Sequence, residues 1–123
     1  GEIQTHPRVA ADDVGFARDV GALLIEGYGL TAVNLRQAAR AVSDSGPGFE
    51  GNIAKLFGAE HAQRAAELAL RIAGPAVLTG GDPEVLHDYL YSRCLTIAGG
   101  TSEVVRNLIA ERILGLPRES VAN

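Results

Sequence analysis

The run Gly99-Gly100-Thr101-Ser102-Glu103 holds the residue types best suited to chemistry. Two glycines let a backbone approach a ligand closely and adopt torsions closed to other residues. If a helix starts at Thr101 or Ser102, its first N–H groups are unpaired and sit at the positive end of the helix dipole. Thr101 and Ser102 add hydroxyls. Such a turn can hold a phosphate or another anionic group. It can equally be a tight helix-to-helix turn with a capping residue. Glu103 opposes a phosphate there and suits a hydroxyl, an amine or a backbone N–H instead.

The other reactive side chains form no constellation. His6, His61 and His87 are far apart, and Glu60-His61 lacks the second histidine four positions on that a helical zinc site needs. Each reads as a polar-face histidine, and no metal site is expected. Cys94 is the single cysteine, so no internal disulfide is possible. Its apolar neighbours point to a small core residue rather than a nucleophile.

The elements that must position these residues are helices. Apolar residues recur at helical spacing from Val14 through Ala17, Gly21, Leu24 and Tyr28, with Val20 and Leu23 beside them. Asp12 and Asp13 offer N-cap oxygens. The first helix is predicted over about 12–42, with Gly27-Tyr28-Gly29 the one place for a break. Ser43 to Gly48 reads as a loop. A second helix over about 51–73 draws its stripe from Ile53, Leu56, Phe57, Leu68 and Ile72, and stops at a left-handed Gly74 before Pro75. Asp82-Pro83 reads as an N-cap and a proline in the first turn of a third helix, about 83–96. A fourth, about 102–114, ends at Gly115-Leu116-Pro117. Its Val104, Val105, Leu108, Ile109, Ile113 and Leu114 spread over more than one face, which predicts a contact outside the bundle.

Composition agrees with an all-α chain. The 123 residues are 46% hydrophobic but only 5% aromatic, without Trp or Met, so the core must be built from Ala, Leu, Ile and Val. A net charge of −4 argues against non-specific nucleic-acid binding. No apolar run approaches the roughly 20 residues that a membrane span needs. Lys55 is the lone lysine against ten arginines, which reads as GC-rich coding bias.

The segment from Leu95 to Arg118, Leu-Thr-Ile-Ala-Gly-Gly-Thr-Ser-Glu-Val-Val-Arg-Asn-Leu-Ile-Ala-Glu-Arg-Ile-Leu-Gly-Leu-Pro-Arg, resembles the C-terminal signature of acyl-CoA dehydrogenases. Ile53 to Gly58 and Ala66 to Gly74 resemble the preceding helix of that family. The resemblance covers about 12–117. It implies an up-and-down four-helix bundle, the C-terminal domain of a flavoenzyme whose N-terminal helical domain, central β-domain and first bundle helix lie outside this chain.

The resemblance also implies roles. Such enzymes use FAD to oxidise the Cα–Cβ bond of an acyl-CoA thioester, and pass the electrons to a separate acceptor protein. Thr101, Ser102 and Glu103 match the segment that contacts FAD, and Gly100 lies near the thioester. Arg71 and Gly74 match a turn that approaches the FAD of a neighbouring subunit, although the chain has Gly74-Pro75 where the family often has a glycine pair. Arg106 matches a recurrent arginine, read as an ion-pair or interface residue. Many members place the catalytic glutamate where this chain has Gly99, which cannot accept a proton, so no catalytic residue is assigned. The implied partners are the rest of the subunit and neighbouring subunits in a homo- or heterotetramer. The alternative is a non-catalytic partner subunit or helical interaction module of a heteromeric acyl-CoA dehydrogenase complex. A cytoplasmic bacterial protein is expected.

Overall fold

A computed structural model gives the fold, with residues 14–43 and 48–118 described. Four α-helices run α1 Val14–Val42, α2 Glu50–Ala73, α3 Pro83–Leu95 and α4 Ser102–Arg112, with a 3-10 helix at Pro75–Thr79 between α2 and α3. There is no strand among the described residues. The expected caps Asp12 and Asp13 lie outside the described residues, as does His6.

The helices alternate in direction and α2 is their hub. Each of the other three packs on α2, and among the described residues their backbones do not approach one another closely. Asp19 of α1 meets Arg71 near the end of α2, while Arg36 meets Glu50 at its start, so α1 and α2 are antiparallel. Lys55 reaches Gly100 and Glu60 reaches Arg106, so α4 runs alongside α2 in the same direction. A helix touched on three sides needs thin surfaces. The buried apolar residues are accordingly Ala59, Ala66 and Leu68 of α2, Val77 of the 3-10 helix and Val105 of α4.

The caps follow local chemistry. The Asp82 carboxylate accepts from the Val85 N–H at 3.2 Å, with Pro83 in the first turn. Gly115 takes φ +66 just beyond α4, before Pro117. Gly74 has the expected positive φ of 71°, but its ψ is −168° rather than left-handed helical. Proline disfavours helical ψ in the residue before it, so Pro75 drives Gly74 into an extended conformation that glycine tolerates best. The chain then enters the 3-10 helix, which carries no periodic signal in five residues.

One open alternative closes and two expectations change. No break interrupts α1 at Gly27-Tyr28-Gly29. The cost of helical glycine, about 1 kcal/mol each, is outweighed by packing and ion pairs along α2. The stripe Val14, Leu24 and Tyr28 is not the packed face, since these residues are 81%, 59% and 78% exposed. The face towards α2 carries Val20, Leu23 and Leu30, with Glu26 and Asp19 among them. Cys94 is exposed rather than a core residue. It lies nine positions beyond Val85, about 180° round the helix, while Val85, Ser92 and Leu95 line the seam with α2.

Ion pairs fasten the thin core. Glu26 of α1 accepts from His61 Nδ1 at 3.1 Å and from Arg64 at 3.0 Å, both on α2. Glu60 joins Arg64 to Arg106 of α4, and Glu67 holds Arg93 of α3 at 2.8 Å. Burial alone raises the Glu26 carboxyl, but the hydrogen bonds from His61 and Arg64 and their charges leave it below its ordinary value of 4.5. A depressed carboxyl stabilises the fold when the pH lies above its unfolded value, and that stabilisation is lost as pH falls through the folded one. Glu26→Gln is therefore expected to lower stability at neutral pH by about 1 kcal/mol and to flatten the acid side of the profile. Urea midpoints measured from neutral pH down past the carboxylate range check this; parallel curves for the two proteins would refute it.

Candidate functional site

The site is the turn between α3 and α4. After Leu95 the chain closes on itself, with the N–H groups of Ile97 and Ala98 both donating to the Cys94 carbonyl, at 3.0 and 2.8 Å. Gly99 and Gly100 follow with φ +68 and +104. The Ser102 N–H donates back to the Thr96 carbonyl at 3.1 Å and closes the turn. Both glycines hold torsions that L side chains rarely adopt, so the pair is demanded by the backbone itself.

Thr101 is the N-cap of α4. Its hydroxyl oxygen accepts from the Val104 N–H at 3.3 Å. Glu103's own backbone N–H, then that hydroxyl, then the Arg106 charge hold its carboxyl below the usual range. Glu103 is thus an exposed, ionised acceptor at the helix start, suited to a hydroxyl or an amine and poorly suited to act as a base. Ser102 is only 8% exposed, and its hydroxyl has no hydrogen-bond partner among the described residues. The Thr101 N–H likewise has no partner among the described residues. The start of α4 thus carries a buried hydroxyl and an N–H without partners among the described residues, next in sequence to the exposed Glu103 carboxylate.

Lys55 completes the turn from α2. Its ammonium donates to the Gly100 carbonyl across 45 positions of sequence. In the sequence Lys55 stands out as the lone lysine, within the Ile53–Gly58 stretch. Its one local signal is a charge on a helix otherwise rich in alanine, and periodicity cannot say that Gly100 lies opposite.

Arg71 and Gly74 stand at the far end of α2. Arg71 is sixteen residues beyond Lys55, about 24 Å along the helix axis. Its guanidinium is held at 2.8 Å by Asp19 and lines a cleft of about 260 Å³ between α1 and α2 with Leu23, Glu26 and Leu68. Within one chain, therefore, Arg71 and Gly74 are not brought together with Thr101, Ser102 and Glu103. Arg106 is an ion-pair residue, bound to Glu60.

Comparison with known proteins places this fold and turn in a class. The profile of the acyl-CoA dehydrogenase C-terminal domain matches residues 4–114. The chain therefore belongs to the acyl-CoA dehydrogenase family, as its all-α C-terminal domain. It is 34% identical over 106 residues to "Acyl-CoA dehydrogenase FadE34" of Mycobacterium tuberculosis, covering 86% of this chain and 15% of that protein. It is 42% identical over 88 residues to "Acyl-CoA dehydrogenase IpdE1" of Mycolicibacterium smegmatis, covering 69% of this chain and 22% of that protein. The protein of the same name from Mycobacterium tuberculosis is 43% identical over 72 residues, 56% of this chain and 19% of its own length. The chain thus spans less than a quarter of each of these relatives. No solved structure gives a significant match. No described helix is long and apolar enough to cross a membrane.

Proposed function

We propose that this chain is the C-terminal helical part of an FAD-dependent enzyme that oxidises the Cα–Cβ bond of an acyl-CoA thioester. The observation that carries the reading is the turn itself: a family match across the chain, with two positive-φ glycines leading into a helix start whose Thr101 N–H has no partner among the described residues. The group fits these residues. The Thr101 N–H is a donor without a partner among the described residues, and ionised Glu103 suits a ribose hydroxyl or an amino group. FAD, when bound, supplies the two-electron acceptor that no side chain provides. Gly100 matches the family position near the acyl thioester.

Arg71 and Gly74, about 24 Å away, serve the same kind of cofactor only across a boundary between two copies. This supports an oligomer in which one subunit supplies the α4 start and its neighbour supplies the end of α2. The exposed Leu24, Ile25, Tyr28 and Leu35 of α1, with Val104 and Leu114 at α4, offer apolar surface for the rest of the subunit and its neighbours. Electrons leave to a separate acceptor protein. The reading as a non-catalytic partner subunit or helical interaction module rests on Gly99 and the many-sided apolar α4, and is not favoured, since the relatives are named as acyl-CoA dehydrogenases.

The test uses the intact polypeptide that carries this chain. It is expected to purify with the yellow flavin chromophore and to bleach anaerobically with at least one acyl-CoA. Lack of flavin and of bleaching across short, branched and steroid side-chain acyl-CoAs would overturn the reading. Gly99→Glu then locates the base. A β-carbon at Gly99 meets nothing within 4 Å, so the only cost is the left-handed torsion, about 1–2 kcal/mol. Faster bleaching in Gly99→Glu means that the turn lacks only its carboxylate; an unchanged rate means that the base stands elsewhere.

A further inference from the structure

We propose that Lys55 is a positioning residue: it fixes the Gly100–Thr101 peptide plane and so sets the direction of the Thr101 N–H at the start of α4. The inference begins with the bond from the Lys55 ammonium to the Gly100 carbonyl, which ties the middle of the turn to the hub helix. The Gly100–Thr101 peptide is trans, as no cis bond occurs among the described residues, so the Gly100 carbonyl and the Thr101 N–H lie in one plane and point opposite ways. A carbonyl drawn towards α2 therefore sends the Thr101 N–H away from α2. That N–H has no partner among the described residues.

Three features argue that this contact does more than stabilise the fold. A cation beside a helix N-terminus opposes the helix dipole, so Lys55 is electrostatically misplaced as a helix stabiliser. It makes no ion pair among the described residues, although most of the nearby arginines do. The glycine it grips holds φ +104, a conformation with no side chain to anchor it. A glycine pair with free torsions needs an external tether if its amides are to hold one orientation, and catalytic geometry tolerates little misplacement. Lys55 is that tether. It uses one of its three donors on Gly100 and keeps a positive charge beside the place where the flavoenzyme reading sets an acyl thioester. The effect on turnover rests on that reading; the effect on the turn does not.

The experiment uses the intact polypeptide with Lys55→Met, which keeps the stem and removes the donor, together with Lys55→Arg and Lys55→Gln, which keep donors. Hydrogen–deuterium exchange of the peptide over residues 96–103 is expected to quicken about tenfold in Lys55→Met, with α1 unchanged, and to return most of the way in Lys55→Arg. Flavin content is expected to hold, while the rate of bleaching falls about 10- to 100-fold at saturating acyl-CoA, with half-saturation little changed. Unchanged exchange in the turn overturns the proposal, whatever the flavin does. Quickened exchange without flavin in the parent supports the tether and refutes the flavoenzyme reading. If Lys55→Met fails to fold, Arg and Gln decide. Near-parental exchange in both supports donation to Gly100, and loosened turns in both overturn it.

Discussion

Val77→Asp is expected to abolish the folded state at neutral pH. Val77 is 1% exposed, the largest fully buried side chain among the described residues. It sits on the 3-10 helix above a groove lined by Ala69, Ile72, Ala73 and Val85, with the Asp82 carboxylate on the same rim. An aspartate there buries an unpaired charge beside one of like sign. Leaving a buried charge without its partner costs about 3–5 kcal/mol. A domain of this size holds only about 5–15 kcal/mol in all, and a core of small residues belongs at the low end. The milder Val77→Ala removes two methyl groups and leaves a cavity, for about 2 kcal/mol. Urea titration followed by far-ultraviolet circular dichroism checks both. A parental midpoint in Val77→Asp would show that Val77 does not close the core.

Gly100→Ala should combine a loss of stability with a larger loss of turnover. A β-carbon at Gly100 would stand 3.8 Å from Val104 Cγ1 and Val105 Cγ2, which is ordinary contact. The cost is therefore torsional, at φ +104, and amounts to about 1–3 kcal/mol. To relieve it, the backbone must rotate towards negative φ. That rotation pulls the Gly100 carbonyl from Lys55 and swings the Thr101 N–H with it. A displacement of about 1 Å at a reacting site can cost roughly a hundredfold in rate. In the intact polypeptide, Gly100→Ala is expected to bleach flavin about a hundredfold more slowly while retaining a cooperative melt. Thermal melting and anaerobic stopped-flow absorbance measure the two effects separately. Equal loss in both, or normal bleaching, would contradict it.

Much of the fold was legible because its signals are local. Asp82-Pro83, Thr101 and Gly115 end and begin helices through bonds within a few residues of themselves. The Gly99-Gly100 torsions were legible for the same reason, since only glycine takes them comfortably. The 3-10 helix was not, because five residues carry no period, and Pro75 altered the conformation of Gly74 one residue before it. Alpha-1 shows the limit of periodicity. It has two apolar stripes, and spacing reveals each without saying which is covered. The covered one carries Asp19 and Glu26, which find Arg71 and Arg64 across the seam. Cys94 was misplaced for a related reason: Leu86, Leu90 and Tyr91 lie around α3 on several sides, so its own residues do not define its buried face.

The sequence by itself determined that this protein is helical, where its helices stop, and that one turn combines free glycine torsions with a capped helix start. Those properties depend on backbone sterics and hydrogen bonds among near neighbours. Only the tertiary structure decided that α2 is the hub, that Lys55 holds Gly100, that Ser102 is buried without a partner, and that Arg71 lies far from Thr101 along the same helix. These depend on contacts between residues tens of positions apart. Their geometry follows from how helix faces pack, and a small aliphatic core leaves several faces nearly equal until the helices meet.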